Sequence, residues 1–136
     1  MPNPDVIAGK AGIVTRCLER IAHVTSEASP SLTVVDVEDI LVLNLQRAIQ
    51  ACIDIMTHVC AEENLGTPAS AGDGFAVLAG AGYMDRELAV ELKKMVGFRN
   101  LHHEYDEIVP ELLRAIVDEH LDDLRRFISI MIQRFG

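Results

Sequence analysis

From Thr33 to Leu65 the chain carries apolar residues at helical spacing without a breaker: Ile40, Leu41, Leu45, Ala48, Ile49, Cys52, Ile55, Met56 and Val59. A period near 3.6 places one stripe on one face of a helix, whereas a strand would alternate. Roughly 30 residues rising about 1.5 Å each reach about 45 Å, long for a small globule. Such a helix is expected either to bend or to send its N-terminal portion onto another subunit. Its opening, Val34-Val35-Asp36-Val37, is rich in β-branched residues, which are weak helix formers. Gly66-Thr67-Pro68 supplies a C-terminal stop.

The remaining segments follow the same period. Val6 to Val24 places Ile13, Val14, Cys17, Leu18, Ile21 and Val24 on one side, then meets the polar stretch Ser26–Pro30. Pro68 to Gly82 predicts a helix of two to three turns through Phe75, Val77 and Leu78. Gly72, Gly74, Gly80 and Gly82 read there as turn glycines. Asp85 is a fitting N-cap for a helix with Leu88, Leu92, Met95 and Val96 as its stripe. Pro110 suits the first turn of one last helix bearing Leu113, Ile116, Val117, Leu121, Leu124, Phe127, Ile128 and Met131. No segment keeps a period of two. The expected fold is all-α: an antiparallel four-helix bundle with a short additional helix, one domain over residues 1–136.

Composition removes several function classes. Twelve basic against 21 acidic residues leave a formal charge of −9, which disfavours holding nucleic acid through a broad positive surface. Aromatic residues are 4% with no Trp, thin for a module that stacks bases. Three cysteines without a CxxC spacing argue against a disulfide framework and for a reducing compartment. The start lacks the basic and apolar regions of a secretory signal, and no continuous apolar run approaches the ~20 residues of a membrane span. A cytoplasmic protein without a membrane partner is the expectation.

Against that acidic background, Lys93 to His103 holds Lys93, Lys94, Arg99, His102 and His103 and no carboxylate. A guanidinium grips a phosphate through two parallel N–H bonds, and imidazole titrates near neutrality. Together they supply what metal-independent phosphodiester cleavage requires: a charge clamp on the phosphorane oxygens and a proton shuttle. Composition goes no further, since a short Arg–His cluster also serves as a solvated or dimer-contacting face.

The order of these residues is more specific. Gly97-Phe98-Arg99-Asn100 followed by His103-Glu104-Tyr105 resembles the signature of HepT-like toxins of the HEPN superfamily, in which an Arg-Asn pair precedes His-x-Tyr. Ala61–Pro68, Gly82–Leu88, Lys94–Arg99 and Leu121–Phe127 are similar to other parts of that family, so the resemblance covers about residues 33 to 130. It implies a helical bundle that forms a homodimer and joins two Arg/His motifs in one cleft. It further implies an RNA endonuclease toxin, with no cofactor, no metal and no DNA partner, silenced by an MntA-type nucleotidyltransferase antitoxin that adds AMP groups. Carried onto this chain, Arg99 would polarise the scissile phosphate and His103 would act as general acid or base towards the ribose 2′-hydroxyl. Asn100 and the neighbouring His102 would support them, and Tyr105 would accept AMP.

One departure has a geometric consequence. HepT-like members usually place four residues between Arg and His; here Asn100, Leu101 and His102 are three. At about 100° per residue, Arg99 and His103 would sit about 40° apart around an unbroken helix instead of about 140°. Either the backbone absorbs the change in a local irregularity, or the site is degraded.

Other chemistry-bearing residues have plainer readings. His58 and Cys60 are two apart and point to different sides of a helix, so they cannot share an ion. No His has a Glu three residues before it, which excludes the di-iron pattern of four-helix bundles. Cys17, Cys52 and Cys60 read as small core residues, and His120 as a packing residue near the last apolar stripe. Three functions stay open on the sequence: the toxin nuclease, a non-catalytic nucleotide- or RNA-binding bundle with a degraded motif, and an interaction domain whose Arg99 pairs with carboxylates.

Overall fold

A computed structural model describes residues 1–26, 32–105 and 110–136, the side chains of residues 101–110 lying outside that description. Six helices follow one another among the described residues: α1 (Pro4–Thr25), α2 (Val34–Glu62), α3 (Ala71–Gly80), α4 (Arg86–Tyr105), α5 (Pro110–Glu119) and α6 (Leu121–Phe135). No strand occurs among them.

Side-chain pairing fixes how the helices run. Asn3 N–H donates to His58 Nε2 at 2.9 Å, and Lys10 Nζ lies 2.9 Å from Asp54 Oδ2. Residue numbers thus fall along α2 as they rise along α1, so the two are antiparallel. Asp85 with Arg126, then Glu91 with His120 and Asp123, give α4 and α6 the same opposed sense. Ile7, Val14, Leu18, Ile21, Leu45, Ile49, Ile55, Met56, Phe75, Leu78, Leu88, Leu92, Leu124, Phe127 and Met131 form one buried cluster between these helices. The Phe75 and Phe127 rings meet edge to face at 5.3 Å, joining α3 to α6.

The long helix is uninterrupted from Val34 to Glu62. Its weak β-branched start is held by a reciprocal cap: Asp36 N–H donates to Thr33 Oγ1 at 3.1 Å, and Thr33 N–H donates to Asp36 Oδ2 at 3.2 Å. Val34 and Val35 face outward at 75% and 63% exposure while Leu32, Val37 and Ile40 pack against the core, so the start of α2 lies on the bundle with an exposed apolar pair, and the helix has no break. The stop comes earlier than Gly66: Asn64 adopts φ 56°, and Leu65 N–H turns back to Cys60 O at 2.9 Å. By length and mean hydropathy (1.2) α2 could cross a membrane, yet 61% of that window is buried in the bundle, as in the central helix of a helical core.

Two expectations need correction. The single last helix is two, divided at His120, whose φ of −118° departs from helical values. No breaker residue lies there; His120 Nδ1 instead faces Asp123 Oδ2 at 3.2 Å and Glu91 Oε2 at 3.4 Å, a tertiary contact that stripe reading does not see. Likewise Gly72 and Gly74 are not turn residues but lie inside α3. A Cβ at residue 74 would run into the buried Met56 side chain, so glycine there lets α3 approach α2 closely. Gly82 (φ 87°) is a true turn glycine, with Tyr83 N–H closing onto Leu78 O at 3.0 Å.

Candidate functional site

α4 continues as α-helix through Tyr105, with no π or 3₁₀ turn in it. The short Arg-to-His spacing is therefore not absorbed by an irregularity, and positions 99 and 103 are one helical turn apart. The side chains of His102, His103 and Tyr105, three of the residues singled out in the sequence, lie outside the described residues.

Arg99 and Asn100 are described, and they sit at one end of an open cleft. Phe98, buried on the core side, anchors this turn of α4 against the bundle and leaves its neighbours facing outward. Arg99 Nη1 donates to Gln50 Oε1 of α2 at 2.5 Å. Its Nε and Nη2 both donate to Asn100 Oδ1, at 3.2 and 2.7 Å. Both partners are neutral amides, and no carboxylate among the described residues pairs with the guanidinium. Among the described residues its positive charge is oriented by amides and meets no carboxylate, the arrangement an anion subsite requires.

Leu43, Gln46, Arg47 and Gln50 of α2 form the opposite wall of this cleft, which holds about 370 Å³. A second cleft of about 490 Å³ shares Arg47 and Gln50 with it and is also lined by Lys10, Arg16 and Asp54. Lys10 is paired with Asp54, and Gln50 Nε2 also donates to Asp54 Oδ1 at 2.9 Å. Gln50 thus bridges an acid on α2 and the arginine on α4. Arg47 and Arg16 have no carboxylate partner among the described residues. Burial raises the Cys17 thiol's pKa above its ordinary value, an effect that nearby Arg47 and Arg16 partly offset. The set of cations without a carboxylate partner among the described residues is thus longer than the motif: Arg16, Arg47 and Arg99 line the two clefts.

Gln50 and Arg47 were not singled out by sequence reading. Both lie on the exposed side of α2, where polar residues are ordinary, and only the approach of α4 gives them a role. The other candidates keep structural roles. His58 accepts from Asn3 N–H and so helps cap α1, while Cys60 Sγ lies 3.9 Å from Met56 Sδ in the core. All three cysteines are free and buried. Burial pushes the Cys52 thiol far above its ordinary range.

An all-α bundle with an outward Arg-Asn pair, held in place by a glutamine across an open cleft, is a helical domain of the HEPN kind. The sequence profile of the Ribonuclease HepT-like family matches residues 14–131, and the chain belongs to that family. It is similar to the mRNA nuclease HepT of Shewanella oneidensis, with 37% identity over 128 residues that cover 93% of this chain and 96% of that one. It also resembles the tri-AMPylated Shewanella oneidensis HEPN toxin solved in complex with its MNT antitoxin (TM-score 0.85, 37% identity, 93% and 96% coverage). A second neighbour is a toxin–antitoxin structure with AMP-PNP (TM-score 0.84, 36% identity, 93% and 98% coverage).

Proposed function

We propose that this protein is an endoribonuclease toxin held in check by a nucleotidyltransferase antitoxin. The observation that carries the reading is the state of Arg99: a guanidinium fixed by two neutral amides in an open cleft, with no carboxylate partner among the described residues. Family membership supplies the reaction class, and the names of the relatives, an mRNA nuclease and a HEPN toxin bound to an MNT antitoxin, support the pairing.

In this reading Arg99 binds the non-bridging oxygens of one RNA phosphate and stabilises the charge that grows on them in the transition state. The neighbouring ribose 2′-hydroxyl attacks phosphorus, the P–O5′ bond breaks, and a 2′,3′-cyclic phosphate and a 5′-hydroxyl result. His103 moves the proton, taking it from the 2′-hydroxyl or giving it to the departing oxygen. Asn100 holds the guanidinium, and His102 adds positive potential beside it. Arg47, across the cleft, receives a further phosphate of the same strand. A homodimer would bring two such motifs to one cleft, and the exposed Val34 and Val35 at the start of α2 are the surface offered for that contact. Tyr105, on the same helix, accepts AMP from the antitoxin, which adds negative charge beside the phosphate site and blocks it.

A second reading, binding without cleavage, draws on the uninterrupted α4, which keeps residues 99 and 103 one turn apart where relatives usually have one residue more. Expression without antitoxin separates the two. The nuclease reading expects growth arrest and RNA cleavage, both lost in Arg99→Ala and His103→Ala. AMP addition to Tyr105 with no cleavage by the unmodified protein would select the binding reading.

A further inference from the structure

A second constellation lies elsewhere on α4 and is independent of the nuclease reading. Glu91 comes from α4, His120 and Asp123 come from the first turn of α6, and one ligand atom of each lies within 4.8 Å of the other two. His120 Nδ1 is 3.4 Å from Glu91 Oε2 and 3.2 Å from Asp123 Oδ2. Zinc–nitrogen and zinc–oxygen bonds of about 2.0–2.2 Å at tetrahedral angles set neighbouring donor atoms about 3.3–3.5 Å apart. The Glu91 distance to the imidazole falls at that spacing and the Asp123 distance lies just below it.

The polar accounting points the same way. One Nδ1–H serves one acceptor, and the hydrogen-bonding geometry at His120 is met by Asp123. Glu91 Oε2 is left as a buried side-chain oxygen without a hydrogen bond among the described residues. Its sister oxygen is already engaged, since Lys94 Nζ sits 3.1 Å from Glu91 Oε1. On Asp123 the other oxygen, Oδ1, lies 4.0 Å from Arg126 Nη1. Each carboxylate therefore has its outer oxygen near a cation and its inner oxygen beside the imidazole. A buried carboxylate oxygen with no partner is costly, and a small cation between the three donors removes that cost. The three side chains are partly shielded (30%, 32% and 14% exposed), so an ion can enter and would lose only part of its water.

We propose that Glu91, His120 and Asp123 bind a divalent cation of the zinc class, tying α4 to the junction of α5 and α6. One imidazole and two carboxylates are a donor set that zinc accepts, with the fourth position open to water. Binding needs Nδ1 unprotonated, so the ion displaces the His120–Asp123 hydrogen bond and replaces it with two metal bonds. The ion would clamp the break at His120 and stiffen the helix that carries Arg99 one and a half turns beyond Lys94.

Zinc chloride titrated into chelator-treated protein tests this by calorimetry and by thermal unfolding. The wild-type chain is expected to take up one zinc ion that His120→Ala does not, and to melt at higher temperature with zinc than without. Glu91→Gln and Asp123→Asn should each weaken that uptake at least about tenfold, the loss that follows removal even of a residue that only supports a metal ligand. Glu91→Gln leaves the α6 start untouched, so it reads the site even where His120→Ala unfolds the junction. Wild type and Glu91→Gln taking up zinc alike, at other histidines or not at all, would overturn the assignment.

Discussion

Gln50 Oε1 accepts a hydrogen bond from Arg99 Nη1 across the cleft between α2 and α4. A neutral acceptor fixes the guanidinium without spending its charge; a carboxylate in the same place would fix it and neutralise it. The site depends on that difference.

Gln50→Glu is therefore expected to damage the site more than Gln50→Ala. The carboxylate would pair with Arg99 and compete with the RNA phosphate, lowering kcat/KM for RNA cleavage by roughly tenfold, or about 1.4 kcal/mol of transition-state stabilisation. Gln50→Ala removes a positioning bond and should cost less. Steady-state cleavage of one RNA by both variants checks the order.

Arg47 stands on the opposite wall, where the proposed function has it receive a phosphate remote from the chemistry. Arg47→Ala should raise KM with little change in kcat, since it removes binding common to ground and transition states. Each lost phosphate contact on a single strand reduces the slope of log affinity against log salt by about 0.7. Binding of an uncleavable RNA at several salt concentrations measures it.

Asp73 bears on stability. Its carboxyl is held below the ordinary range by the Ser70 hydroxyl first and by Lys93 second, with Lys93 Nζ 3.2 Å from Asp73 Oδ1. A depressed folded-state pKa means stability that is present above the ordinary carboxylate pKa and lost as pH falls through the lowered value. Asp73→Asn should lower the melting temperature near neutral pH and flatten its decline over the acid limb. Melting curves of both proteins from neutral to acidic pH check the sign.

Gly74 is confined by Met56. Gly74→Ala drives a methyl group into a fully buried side chain, and overpacking of this kind costs about 1–3 kcal/mol. Met56 is flexible but has no open space to move into, being 1% exposed. Urea unfolding measures the loss.

The helices were legible because burial leaves its period in the chain: Ile40 to Val59, Leu88 to Val96 and Leu121 to Met131 face the core as their spacing implies. Arg99 and Asn100 were legible because motif order is a property of sequence. The division at His120 was not, since it depends on Glu91 from another helix. Gln50 and Arg47 were missed for the same reason: nothing in their own segment distinguishes them from a solvated face. Gly74 was misread as a turn because the demand on it comes from Met56 across the helix pair. What a residue's own helix imposes can be read along the chain; what a neighbouring helix imposes cannot.

The central claim is that the Arg99 charge serves cleavage by the RNA's own 2′-hydroxyl. An oligonucleotide cut by the protein, resynthesised with 2′-deoxyribose only at the cleaved position, tests it most directly. The account predicts that the all-ribose strand yields a 2′,3′-cyclic phosphate end, that the substituted strand binds and stays intact, and that Arg99→Ala cuts neither. Cleavage of the substituted strand at the same position and rate would contradict it.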